Sequence, residues 1–294
     1  MGNIILHTVD SKNIYGTMNG GTVRLGNITE ADKKLLRDVN GLITTKEVEE
    51  LEFTPKDKAL IFKKHRQAFG DAEGFDWKKM FMADQTTKDG SYFELTREYV
   101  EANPKGWSDI SEDILIITDK VPGVVAGHPV ADCPVVMLED RKQGITAVGH
   151  CSGAMIDKKL PMLIAESLYR GYNSKSADLV AHVGASAGPE WTYDCLPGWA
   201  TEEKIWKRAI IPHEVIGEDG KSQTIFKIDI RQPIIEQLKE VNIGLNQIDF
   251  DMTDTITSPE YYSNAVCGKQ PEKFGRQYIG AFYDDGVKVK EKVR

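Results

Sequence analysis

DILIITDKVPGVVAGHPVADCPVVMLEDRKQGITAVGHCSG, residues 113–153, holds four short apolar runs, at 113–118, 123–127, 134–138 and 145–148, separated by turn residues. Runs of this length, rich in Val and Ile and bounded by turn formers, predict strands buried in a sheet. The next segment, 158–172, repeats its apolar residues at Leu160, Leu163, Ile164 and Leu168 and ends at Gly171. That spacing predicts an amphipathic helix lying on the sheet. Beyond it come a strand at 179–183 that leads into a Gly184–Pro189 turn, a helix over 229–241, a strand at 247–250 and a closing strand at 277–282. Strands interleaved with helices place the chain in the α/β class.

Towards the N-terminus the pattern weakens. Short β-like pieces at 3–9 and 21–25 and an ambiguous stretch at 43–51 precede Thr54-Pro55, a helix start that predicts a helix over 55–69. A short strand is expected at 79–82, and the polar segment 85–110, with Asn103-Pro104-Lys105-Gly106, reads as an inserted loop or short helix. No repeat or Pro/Gly/Ser linker divides the 294 residues, so a single domain over 1–294 is expected. Hydrophobic residues make up 40% and charged residues 28%, as in ordinary soluble domains, and the net charge of −8 argues against nucleic acid or an anionic membrane as partner. A small molecule is the expected partner. With no leader-like start and no run approaching about 18 apolar residues, the expected location is the cytoplasm. Four cysteines without a CxxC pair are too sparse for a disulfide scaffold.

The chemistry-bearing residues cluster where two strands end. Ala131-Asp132-Cys133-Pro134 closes one run, and the strand that follows delivers Gly149-His150-Cys151-Ser152-Gly153. A thiolate and an imidazole presented by neighbouring strand ends suit zinc, while core packing of Cys133 and a turn role for His150 are the plainer alternatives. Cys151 is either a further soft ligand or nucleophile or a small buried side chain. Trp191 and Tyr193 could stack on a planar base or pack in a core.

These residues also carry a resemblance. The spacing of seventeen residues from Cys133 to His150 is similar to that between the Cys of an Ala-Asp-Cys segment and the His of a His-Ala-Gly-Trp-Arg-Gly segment in the YfiH/laccase-domain family. The lead-in Thr118-Asp119-Lys120-Val121-Pro122-Gly123, the Gly184-to-Asp194 segment, Asp229 with Gln237-Leu238, Tyr261-Tyr262-Ser263 and Gly275-Arg276-Gln277 resemble further pieces of that family in the same order. The resemblance implies a mixed β-sheet sandwich flanked by helices in an αββα layering. It also implies a zinc site of His, Cys and His acting on purine nucleosides, with copper-dependent polyphenol oxidation as the competing implication.

Departures from the family pattern fall at the site itself. No His stands near Met82-Ala83-Asp84-Gln85, where the family has its first ligand. Asp84 is the expected replacement, and His128, whose spacing from Cys133 points it to the other face of a regular strand, is the alternative. Cys151-Ser152-Gly153-Ala154-Met155 stands where the family has Ala-Gly-Trp-Arg-Gly, which puts Ala154 at the Arg position, and Asn264-Ala265 stands where a Tyr-Arg-Arg piece would begin, which leaves Arg66 and Arg276 as candidate oxyanion binders. The expectation is thus a zinc-dependent enzyme acting on purine nucleosides by phosphorolysis, deamination or hydrolysis. Asp84, Cys133 and His150 would be its metal ligands, Asp132, Cys133 and His150 its catalytic residues, and Arg66 and Arg276 its substrate-binding residues. The alternatives are a non-catalytic binding module and a copper-dependent phenol oxidase. The oligomeric state is left open.

Overall fold

The computed structural model describes residues 76–83, 85, 87–104, 110–118, 120–189, 191–200, 203–217, 220–259, 261–266, 270 and 277–282, together with three short strands before them. Those three are β1 (His7–Thr8), β2 (Ile14–Tyr15) and β3 (Val23–Arg24). The strands that follow are β4 (Met80–Phe81), β5 (Tyr92–Glu94), β6 (Ile114–Thr118), β7 (Val125–Val130), β8 (Val135–Asp140), β9 (Ile145–His150), β10 (Leu179–Val183) and β11 (Thr192–Tyr193). The last four are β12 (Ile210–Ile216), β13 (Ser222–Ile228), β14 (Ile248–Phe250) and β15 (Gln277–Phe282). The helices are α1 (Arg97–Ala102), α2 (Gly153–Asp157), α3 (Leu160–Tyr172), α4 (Glu203–Trp206) and α5 (Arg231–Glu240). The expected helix over 55–69 lies outside the described residues.

Two mixed sheets stack. One has the order β14-β10-β8-β9-β6-β5 and the other β1-β15-β7-β4. Strand alternation sorts their side chains into two cores. Leu115, Ile117, Val135, Met137 and Val148 face the second sheet, where they meet Ala126, Val130, Ile279 and Ala281. The intervening residues Ile114, Ile116, Val136, Leu138 and Ala147 face the other way, onto Leu160, Ile164 and Leu168 of α3 and Ile234 and Leu238 of α5. The described residues therefore build a helix layer on two sheets, a mixed α/β fold in which the larger sheet is buried on both faces. Each fully buried Leu or Ile in these cores contributes about 1.5–3 kcal/mol.

Three local differences from the sequence expectations have physical causes. The helix α3 runs past Gly171 and stops where Asn173 takes a left-handed conformation, with Ser174 N–H bonding back to the Leu168 carbonyl. Gly171 instead makes room, since a Cβ there would come within 2.8 Å of the Tyr92 hydroxyl. The segment 85–110, expected as an insertion, supplies α1 and an edge strand, β5, that pairs parallel to β6. Its approach is pinned by the Asp113 carboxylate, which accepts from Lys88 N–H at 3.0 Å and Gly90 N–H at 2.8 Å. Finally, β12 and β13 form an antiparallel hairpin around 217–221. Most of its residues are exposed, so it lacks the inside-outside alternation that reveals a strand in sequence.

Candidate functional site

The end of β9 decides which side chain enters the space between the sheets. His150 shares a face with Val148, on the inter-sheet side, whereas Cys151 is fully buried in the core beneath the helices. Opposite His150 on β8 stands Val135, and the Cys151 N–H extends the ladder by donating to the Pro134 carbonyl at 2.9 Å. Cys133, partly exposed and in no disulfide, therefore sits just beyond the same strand ends as His150. Burial, reinforced by Cys133, pushes the Cys151 thiol well above the usual range, which keeps it protonated and unreactive. The plainer expectation for Cys151, a small core residue, describes its place.

His128 reaches this space from the second sheet. It shares a face of β7 with Ala126 and Val130, and its pairing with β15 runs without a bulge. Its ring centroid lies 5.7 Å from that of His150. It is almost wholly buried and its Nε2 has no hydrogen-bond partner. Burial, helped by His150, holds its imidazole well below the ordinary histidine range, so it is neutral and offers a lone pair. The spacing argument that set His128 on the opposite face from Cys133 considered one strand. The stacked sheets bring it to His150 from the facing layer.

Asp132 is tied down. Its Oδ1 accepts from Thr255 Oγ1 at 2.9 Å and its Oδ2 from Ala265 N–H at 2.8 Å, which fastens the loop before Cys133 to the 254–266 segment. The Ser263 hydroxyl in that segment is fully buried with no hydrogen-bond partner. Beside them stand partly exposed aromatics. The Tyr193 phenol is pushed up to about 12 by burial, then by Asp132 and Cys133. Tyr193 meets Trp191 and Trp199 edge-on, with centroids 6.4 and 6.1 Å away, and Trp199 leans on Trp206 at 4.9 Å. A Cβ on Gly153, the first residue of α2, would lie 2.5 Å from the Trp199 ring. Gly153 is thus what lets the aromatic cluster close against the segment that follows His150. Trp199 was not singled out from the sequence, where only its Pro-Gly-Trp context hinted at a loop position.

Asp84, Arg66 and Arg276 lie outside the described residues. Next to Asp84, Gln85 donates to the His150 carbonyl at 3.0 Å and to that of Asp113 at 3.3 Å. Ala154, at the family's Arg position, is an exposed residue of α2. Among the described residues no three His, Cys, Asp or Glu side chains form a group that could hold a metal ion. None of the helices described is long and apolar enough to cross a membrane.

Residues 43–282 match the family model described as multi-copper polyphenol oxidoreductase laccase. Among solved structures the chain is similar to YlmD from Geobacillus stearothermophilus, with a TM-score of 0.61 and 12% identity over 97% of this chain and 92% of that one. It is similar to the hypothetical protein YfiH of Bacillus licheniformis, with a TM-score of 0.58 and 17% identity over 76% and 82% of the two chains. A third likeness is to the Neisseria meningitidis protein NMB0706, with a TM-score of 0.53 and 13% identity over 95% and 99%. No curated protein matches.

Proposed function

Because this chain belongs to the multi-copper polyphenol oxidoreductase laccase family, with a YfiH-like fold, we propose that it is a zinc-dependent enzyme acting on a purine nucleoside by phosphorolysis, deamination or hydrolysis. The observation that carries this reading is the delivery of Cys133 and His150 to one end of the larger sheet, beside a partly exposed aromatic cluster.

The donors suit the metal. A thiolate and imidazoles are zinc ligands, and the unpartnered Nε2 of His128 is a donor in need of an acceptor or an ion. Cys133 and His150 would hold zinc, with Asp84 as the expected third ligand; His128, the alternative, does not complete a metal-holding group with them as they stand. When bound, the ion supplies Lewis-acid polarisation and a water activated near neutral pH. The chain's own groups do the rest. Tyr193 and Trp199 offer aromatic edges and faces to a purine, and the Tyr193 phenol, protonated at neutral pH, can donate a hydrogen bond to it. Asp132 holds the Cys133 loop in place through Thr255 and Ala265, and its remaining lone pairs can accept a proton from an attacking water. Arg66 and Arg276 are the proposed oxyanion binders.

A second reading, a non-catalytic binding module, is favoured by Ala154 standing where the family carries an Arg. One experiment separates the readings. Purified protein is assayed for bound metal and for turnover of adenosine and inosine with and without phosphate, beside Cys133→Ala. Zinc-dependent product that vanishes in the variant supports the enzyme. Saturable nucleoside binding without product under any condition supports the module. Copper with oxidation of phenols in place of nucleoside turnover would move the assignment to phenol oxidation.

A further inference from the structure

We propose that Arg231 is the guanidinium of a phosphate-type oxyanion site behind the Asp132–Cys133 loop. As the first residue of α5 it would ordinarily point to solvent, yet it is only 6% exposed. Its Nε donates to Ser186 Oγ at 3.3 Å, its Nη1 faces only the weak acceptor Met252 Sδ at 3.8 Å, and its Nη2 is buried with no hydrogen-bond partner. Among the described residues no carboxylate pairs with it. The nearby acids make other hydrogen bonds, Asp254 Oδ2 among them, which accepts from the Thr257 hydroxyl. Asp229 Oδ1 accepts from Arg231's own N–H, and Asp254 Oδ1 accepts from Gly188 and Ile256 N–H.

A guanidinium cannot shed its proton to escape burial, and buried charges in folded proteins are paired or bound. The unspent donors of Arg231 therefore call for an anion, and the planar fork matches the oxygens of a phosphate. Met252 supplies the entry. It is 68% exposed, and its flexible thioether side chain is the cover on Nη1, so a swing of that side chain uncovers the fork. The site is joined to the candidate active site by short hydrogen-bonded steps. Ala187 N–H donates to the Asp132 carbonyl, and Thr255 gives its N–H to the Ser186 carbonyl and its hydroxyl to Asp132. An oxyanion held by Arg231 and Ser186 would thus sit on the far side of the Ser186 turn from Asp132. Free phosphate and the phosphate of a nucleoside monophosphate share this chemistry, and the site stands whether or not nucleosides are turned over.

The test is thermal unfolding and calorimetric titration of the full chain with inorganic phosphate, AMP and adenosine, at ionic strength matched with chloride. The expected result is a saturable rise in Tm with phosphate or AMP. That rise should be absent in Arg231→Met, reduced in Arg231→Lys and reached at lower concentration in Met252→Ala. Phosphate and AMP acting alike point to the free anion, and AMP acting alone points to the ester. Without oxyanion, Arg231→Met should be at least as stable as the parent, because an uncompensated charge has gone. The proposal is overturned if neither anion raises Tm, if Arg231→Met responds like the parent, or if both Arg231 variants are unstable in chloride alone, which would make Arg231 a structural residue.

Discussion

Replacing His128 with leucine, in protein stripped of metal by a chelator, should remove part of the acid sensitivity of folding. In the folded chain the imidazole is buried against His150 and held well below the ordinary range, whereas in the unfolded chain it titrates at about 6.5. As pH falls below that unfolded value the unfolded state takes up a proton that the folded state refuses. The stability contribution is therefore complete above about 6.5 and is lost progressively below it, until the folded imidazole itself titrates. A group that titrates only in the unfolded chain costs about 1.4 kcal/mol on moving from about pH 7.5 to about pH 5.5. Leucine has no such proton to take up. At the higher pH it should cost no more than about 1 kcal/mol, because it also removes the unpartnered Nε2. The assay is urea unfolding of both proteins at the two pH values, followed by fluorescence of the five tryptophans. Equal losses in parent and variant would show that His128 is solvated or protonated in the folded state, and the argument for a neutral lone pair facing His150 would fall with it.

Other substitutions probe the remaining supports. Gly153→Ala drives a methyl into the Trp199 ring and should destabilise by about 1–3 kcal/mol with a changed tryptophan emission spectrum; an unchanged spectrum and stability would remove Gly153 from the closure of the aromatic cluster. Asp132→Asn sets an amide against an N–H or hydroxyl donor from the 254–266 segment and should cost about 1–3 kcal/mol, seen as faster proteolysis there, whereas protection equal to the parent's would contradict the clamp. For Tyr193→Phe, loss of the hydroxyl should raise KM for a nucleoside with less effect than Trp199→Ala; the reverse order would place the base away from Trp199. Asp140 is held below the usual carboxylate range because hydrogen bonds from Ser174, Gln143 and Lys142 outweigh its burial. Its contribution is present above about pH 4 and lost as pH falls further, so Asp140→Asn should flatten the acid limb there, and an unaltered limb in acid unfolding would count against it.

How far the residues announce this structure depends on where their burial lies. The strands β6, β8, β9 and β10 are buried on both faces, which writes them into the sequence as unbroken apolar runs. The exposed β12–β13 ribbon leaves no such trace, and β5 exists because Asp113 and β6 receive it, a tertiary cause no local pattern carries. The same holds at the site. Cys133 and His150 were expected together because one precedes and the other ends paired neighbouring strands of one sheet. His128 was harder to place, since its position depends on the second sheet being stacked above, and Arg231 was invisible because only the fold reveals that a first-turn arginine is buried. Asp84, Arg66 and Arg276 remain candidates on sequence grounds.

The alternation at the end of β9 has an evolutionary consequence. His150 and Cys151 are adjacent in the chain but open onto opposite sides of the sheet, one towards the second sheet and the other beneath the helices. Losing or gaining one residue within β9 would exchange them, handing the cleft a thiol and forcing an imidazole into an apolar layer. Point substitutions along this strand can be absorbed one at a time, but changes in its length cannot. In a library of insertions and deletions, those within β9 should be strongly depleted, while the turn of the β12–β13 ribbon should accept them freely.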